Sequence, residues 1–257
     1  MSVVFHEVTP AEIMSKRGCL KDQGKLLFSN FFGLSDEIQY EMSESAHTML
    51  VRYKEHDFYR LSAISIDLDE LKGLFNKLGA HTYVLNIPSK KDISEQISFL
   101  EGSGFMLCGT YNRYYNRNIV RRECSDADFA KKVDYDEIRS LLYDNFSFYT
   151  DHLPEEDEIL AMIDNRQIVV NRYDDGKVGG LAIHTIEDKS AYINAWIDKT
   201  GNGIALMFQT YNIIESKGIS YAYLWIRSDN KNVIVLHKMM GAKPDGLVDY
   251  TFVKGNN

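Results

Sequence analysis

The stretch Trp196-Ile-Asp-Lys-Thr-Gly-Asn-Gly-Ile-Ala-Leu-Met207 constrains this chain more than any other. The apolar run at residues 191–197 reads as a strand, and Thr200-Gly201-Asn202-Gly203 breaks it. Ile204, Met207, Phe208 and Tyr211 then recur at helical spacing and predict one apolar helix face. Lys217-Gly218 supplies a cationic last turn and a glycine stop. A strand that passes through Gly-x-Gly into a helix leaves unpaired amides at the helix start, open to an anion. Glycine pairs of this kind are also ordinary turns, so the residues downstream decide the reading.

Downstream, residues 220–227 form a second strand, Ser-Tyr-Ala-Tyr-Leu-Trp-Ile-Arg. Asn230-Lys-Asn-Val233-Ile-Val-Leu236-His237-Lys-Met-Met-Gly241-Ala242 follows. This arrangement resembles the GNAT superfamily of acyl-CoA-dependent N-acyltransferases. Their pyrophosphate loop reads Arg/Gln-x-x-Gly-x-Gly/Ala, and Thr200-x-x-Gly203-x-Ala205 keeps all but the first residue. Their later motif reads Asn-x-x-Ala-x-x-Leu-Tyr-x-x-x-Gly-Phe. Asn230, Leu236 and Gly241 fall in register, while Val233, His237 and Ala242 replace the small residue, the tyrosine and the phenylalanine. The resemblance covers roughly the C-terminal half of the chain. It implies an α/β (α+β) fold, with a mixed central sheet flanked by helices.

The resemblance also implies acetyl-CoA, or another acyl-CoA, as acyl donor. Thr200, Gly201, Asn202, Gly203, Ile204 and Ala205 would surround its pyrophosphate, and the backbone of Ala195, Trp196 and Ile197 would hold its pantetheine like an added strand. The loop is two residues shorter than is usual in the family, so the bonding amide stays open. Trp196 either lines the site or packs in the core. Asn230 fits a helix cap as well as a cofactor contact. His237 takes the place of the tyrosine that often protonates the departing thiolate, and a histidine near neutral pH can donate that proton. Its alternative is a packed helix histidine.

The acceptor expected from the family is a primary amine of a small molecule or amino sugar. Phe148, Tyr149 and His152, in an aromatic loop at residues 146–152, correspond to the family's acceptor-lining segment, unless that loop is a plain connection. His184 is a further acceptor-site candidate. A general base stays open among His184, Glu187, Asp151 and His152. Two other readings remain: a GNAT-like binding or scaffold module without catalysis, supported by Thr200 and His237, and a tRNA-dependent aminoacyl transferase of the tandem type.

The N-terminal half repeats the pattern. Gly79-Ala-His-Thr-Tyr-Val-Leu85-Asn-Ile87-Pro-Ser89 lies without a gap against Gly218-Ile-Ser-Tyr-Ala-Tyr-Leu224-Trp-Ile226-Arg-Ser228, with Gly, Leu, Ile and Ser coinciding. Strands are predicted at residues 48–53, 58–66, 82–87 and 105–115, and helices at 67–78 and 93–102. This suggests tandem related domains, 1–118 and 119–257. At the first copy's strand-to-helix junction stands Ile66-Asp67-Leu68-Asp69, whose carboxylates would repel a pyrophosphate. The N-terminal copy is therefore read as degenerate. Thr9-Pro10 predicts a helix start, with a capping hydroxyl before proline, and residues 25–32 read as a short apolar helix.

The second half is predicted as helices at residues 135–145 and from Pro154, then strands at 167–173 and 178–186. A net charge of −8 disfavours a general nucleic-acid or anionic-membrane partner. The Arg- and Tyr-rich residues 111–122 accordingly read as a last strand and linker, not as a single-strand platform. No apolar run is long enough to span a bilayer, and the N-terminus lacks a signal-peptide pattern. Cys19, Cys108 and Cys124 show no metal spacing, so a cytoplasmic protein with free thiols and no metal is expected.

Overall fold

The computed structural model describes residues 3–31 and 33–255. In chain order its elements begin with β1 (His6–Val8), α1 (Pro10–Gln23), β2 (Phe28–Ser29), β3 (Tyr40–Glu44), β4 (Thr48–Glu55) and β5 (Phe58–Ser65). Next come α2 (Leu68–Phe75), β6 (Tyr83–Ser89), α3 (Ser94–Glu101), β7 (Met106–Asn116), β8 (Asp128–Phe129), α4 (Tyr135–Asn145) and α5 (Glu156–Asp164). The chain ends with β9 (Ile168–Arg172), β10 (Val178–Glu187), β11 (Ser190–Asp198), α6 (Gly203–Ser216), β12 (Ala222–Arg227), α7 (Lys231–Met239) and β13 (Lys243–Lys254). These make two compact units, one of Met1–Thr110 with Val248–Asn257, the other of Tyr111–Leu247.

The division differs from an expected boundary after residue 118. Residues 248–254 of β13 pair antiparallel with β6, from Val248 against Ser89 to Lys254 against Tyr83. Their ladder places them in the first unit. Residues 111–116 of β7 pair antiparallel with β12 and belong to the second.

In the first unit the sheet order is β1-β3-β4-β5-β6, followed by residues 248–254. Phe28, Leu50, Leu61, Phe75, Leu85, Leu100 and Phe252 share one buried cluster beneath α2 and α3. Ile13 and Leu20 of α1 pack with Met42, Met49 and Ile64. The start of α1 is a capping box: Thr9 Oγ1 accepts from the Glu12 amide at 3.3 Å, and Glu12 Oε2 accepts from the Thr9 amide at 2.7 Å. Residues 25–31 are not the expected short helix. Leu27 N donates to Ser65 O and Asn30 N to Ala63 O, so this segment lies beside β5 as an added strand. Burial of Phe28 in the core overrides the helical spacing there. Phe32, the last residue of that expectation, lies outside the described residues.

In the second unit residues 111–116 are followed by β12, β11, β10, β9 and β8. Helices α4 and α5 cover one face through Ile138, Leu142, Ile159 and Ile163, which meet Leu181, Ile183, Ala195 and Ile197. Helix α6 and the region of α7 cover the other through Met207, Tyr211, Ile214, Val233 and Ile234, over Ala191, Ile193, Ala222 and Leu224. The buried stripe of α6 is Leu206, Met207, Thr210, Tyr211 and Ile214. Ile204, expected on that stripe, is 51% exposed. Ile204 stands in the first turn, ahead of the buried stripe, while Met207 and Tyr211 keep to it. No helix among the described residues is long and apolar enough to cross a membrane.

Candidate functional site

The site begins with a fault in the second unit's sheet. Strands β10 and β11 pair regularly until the register shifts between Ile183 and His184, leaving Asn194 as an extra residue in β11. The bulge turns the strand over. Ala191 and Ile193 face α6, while Ala195 and Ile197 face α4 and α5. Beyond it β11 also leaves β12. Their parallel ladder holds Ala191–Ala222, Tyr192–Tyr223 and Ile193–Leu224, then stops, although both strands continue. A V-shaped opening remains between residues 194–198 and 225–227. The expected pantetheine contacts Ala195, Trp196 and Ile197 all lie on this unpaired edge.

Helix α6 starts five residues after β11 ends. Gly201, at φ +84°, makes the turn in the left-handed region that suits glycine. No side chain among the described residues caps the helix, and its first internal bond runs from Leu206 N to Asn202 O. The amides of Gly203, Ile204 and Ala205 have no acceptor among the described residues. Gly203 is glycine for a packing reason: a Cβ there would lie 3.0 Å from Trp196 Cζ2 and 3.1 Å from Asp198 Cβ. Thr200, in place of the family's Arg or Gln, donates to Asp198 Oδ1 at 2.7 Å, and Asn171 Nδ2 donates to the same oxygen at 3.2 Å. An acid thus sits beside the helix start, with its Oδ1 held by these two donors.

Trp196 and His237 meet behind the opening. Their rings cross edge to face at 5.3 Å, and Trp196 Nε1 and His237 Nδ1 are both buried without a hydrogen-bond partner among the described residues. His237 is 1% exposed, and burial alone pulls its pKa down to about 4. It is therefore an uncharged imidazole at neutral pH, so any proton it gives a departing thiolate would come from a neutral ring N–H and not from an imidazolium. Asn230 acts as the cap of α7, its Oδ1 accepting from Val233 N at 3.3 Å.

Of the expected acceptor residues, Phe148 packs against the α4–α5 core and meets Tyr149 edge-on at 5.4 Å, and His152 is exposed. Asp151 pins their loop, since Oδ2 accepts from Ser147 N at 2.8 Å and from the Tyr111 hydroxyl at 3.2 Å. His184 does not join them. It pairs with Ile193 on the α6 side of the sheet, is buried, and has its pKa lowered by that burial.

A row of tyrosines escaped the sequence reading. Tyr192 and Tyr223, the ladder pair next to the opening, stack at 4.9 Å and 14°. Tyr221 lies 6.4 Å from Tyr223, and Tyr115 stacks on Tyr221 at 6.2 Å. The signal was the alternation Tyr221-x-Tyr223, which puts both rings on one sheet face. Burial, then Tyr223, Asp151 and Glu187, push the Tyr192 phenol up to about 12.

The first unit has a similar opening, but its own chain fills it. Strands β5 and β6 pair in parallel only at Tyr59–Tyr83 and Arg60–Val84. Asn30, 4% exposed, lies across the gap. Its Nδ2 donates to Leu61 O and Asn86 O, each at 3.1 Å, and its Oδ1 accepts from Ala63 N at 2.7 Å. The start of α2 is occupied too, since Asp67 Oδ1 accepts from Asp69 N and Glu70 N. His47, Asp67 and Glu70 bring possible metal-ligand atoms within 4.8 Å of one another, but both carboxylates already hold backbone amides.

No protein-family model matches the sequence, and no curated protein matches it. Solved structures do. A GCN5-related N-acetyltransferase from Sphaerobacter thermophilus aligns with a TM-score of 0.62 at 9% identity, over 99% of this chain and 97% of that one. A tandem GNAT protein from the clavulanic acid biosynthesis pathway aligns at 0.57 and 8% identity over 100% of both chains. An acetyltransferase of the GNAT family from Colwellia psychrerythraea aligns at 0.53 and 11%, over 98% of this chain and 100% of that one. At these identities the likeness is one of fold: the chain has the mixed α/β GNAT fold in tandem form.

Proposed function

We propose that the second unit is an acyl-CoA-dependent N-acyltransferase, with acetyl-CoA as donor and a small-molecule primary amine as acceptor. The observation that carries this reading is the contrast between the two copies. One strand opening is bridged by Asn30 and its helix start capped by Asp67, while the other pair of features is open. The first unit then serves as a degenerate copy that takes no donor.

The residues of the second unit fit such a donor. The amides of Gly203, Ile204 and Ala205 would take its pyrophosphate, with Thr200, Gly201 and Asn202 forming the turn around it. The unpaired edge at Ala195, Trp196 and Ile197 would hold its pantetheine as a strand holds a strand. An acyl thioester supplies an activated carbonyl: the amine nitrogen forms the new C–N bond, the C–S bond breaks, and the thiol leaves with the proton the nitrogen loses. The strand vertex at Ile193 and Leu224 confines the reaction, and the tyrosine row forms the acceptor side. His237, uncharged, lines the donor side with Trp196 and is not an imidazolium acid near neutral pH.

Asp198 beside the helix start and the neutral His237 favour a second reading, a module that binds a donor without turning it over. Calorimetric titration with acetyl-CoA, followed by thiol release over an amine panel, separates the two. Ile204→Glu is the variant of choice, because that side chain is exposed and its amide is among the three. Substituting Gly203 would instead collide with Trp196. Ile204→Glu should weaken acetyl-CoA on the order of tenfold through one added like charge. Unchanged affinity removes this helix start as the anion site.

A further inference from the structure

The tyrosine row leads away from the strand vertex to an open cleft of about 850 Å³, lined by Glu187, Asp188, Lys189, Ser190 and Tyr221. Glu187 is tied to the row, since its Oε2 accepts from the Tyr223 hydroxyl at 3.3 Å. Tyr223 in turn stacks on Tyr192, which pairs one residue before the vertex. The turn carries two carboxylates against the one ammonium of Lys189. Stacked phenols beside a carboxylate are a surface for an organic cation and its methylene chain.

The position of Glu187 limits what that cation can be. Its hairpin partner is Ser190, three residues before Ile193 at the vertex. That spacing along a strand is about 10 Å. An amine must lose its charge to attack a thioester, so the nitrogen held at Glu187 as an ammonium is not the nitrogen that reacts. One ligand satisfies both ends only if it carries two nitrogens.

We propose that the acceptor is a small dibasic amine, its charged nitrogen at Glu187 and the Tyr223 hydroxyl, its chain along Tyr223 and Tyr192, and its second nitrogen at the vertex. This rests on the acyltransferase reading for the fate of the second nitrogen. The cation site itself does not need the donor.

The test is calorimetry on the full chain without acyl-CoA, using 1,5-diaminopentane against the uncharged 1,5-pentanediol. The diamine should bind about tenfold more tightly, from one exposed ion pair plus one cation–ring contact. Glu187→Gln should collapse that ratio to about twofold or less, and Tyr223→Phe, which removes only the hydroxyl, should lower it part of the way. Added salt should shrink it in the unsubstituted protein. Equal affinity for the diamine and the diol, or a ratio that survives Glu187→Gln, overturns the proposal. A separate titration with acetyl-CoA keeps the two ideas apart. Diamine selectivity without acetyl-CoA binding overturns the acyltransferase reading and leaves the cation site standing, while acetyl-CoA binding without diamine selectivity overturns only the cation site.

Discussion

Asn30→Ala removes the side chain that bridges β5 and β6 in the first unit. Three hydrogen bonds go with it, to Leu61 O, to Asn86 O and from Ala63 N. The backbone bond from Asn30 N to Ala63 O stays. A net hydrogen bond is worth about 1 kcal/mol, and a buried group left unpaired costs about 1–3 kcal/mol. Two of the three partners lie in buried surroundings, so a loss of about 3 kcal/mol is expected, a large share of a domain's 5–15 kcal/mol. Urea unfolding at neutral pH, followed by circular dichroism, reads this as a lower midpoint for the first unit's transition. Asn30→Asp sharpens the test. Its carboxylate can still accept from Ala63 N, but it faces the carbonyls of Leu61 and Asn86, which accept only. Burial and those carbonyls raise its folded pKa above the unfolded value of about 3.9. The variant's stability is then fullest below that value and is lost as pH rises through the folded pKa. A loss under about 1 kcal/mol for Asn30→Ala, or an Asn30→Asp variant that gains stability with rising pH, refutes the bridging role.

His237→Phe should leave stability unchanged or raise it by about 1 kcal/mol, because it deletes an unpartnered buried nitrogen, and turnover should keep a pH profile without a lost limb near neutrality; a fall in turnover of about 100-fold with the fold intact would restore the acid role. Asp134→Asn should flatten acid unfolding of the second unit. Hydrogen bonds from Arg172, at 2.9 and 2.8 Å, hold the Asp134 carboxyl below the ordinary range. Its contribution is therefore present above the unfolded pKa and lost as pH falls through the depressed one. The gap between the urea midpoints of the two proteins should be full near pH 7 and narrow as pH falls below about 4, and a constant gap would contradict this.

Much of the local structure around the candidate site was legible because its signals are local. The strand, the glycine turn and the helix over residues 191–216 are written within a few residues of one another. So are the caps, since Thr9, Asp67 and Asn230 each bond an amide two or three positions ahead. The repeat of residues 79–89 at 218–228 was legible for the same reason, and both segments became strands in parallel ladders, β6 and β12.

What the sequence by itself determined was therefore the order and kind of most elements and the place of the open helix start, because periodicity and capping act over one or two turns of chain. The tertiary structure decided which features stay open and which are filled. Asn30 meets Asn86 across 56 positions, and no local pattern announces that contact. Residues 248–254 join the first unit because their partners are in β6. The bulge at Asn194 exists only in a ladder with β10, and it turns Ala195 and Ile197 to the face opposite Ala191 and Ile193, where the opening begins. The uncharged state of His237, on helix α7, follows from burial beside Trp196, a residue 41 positions away on strand β11, whose place above the sheet depends on that same bulge.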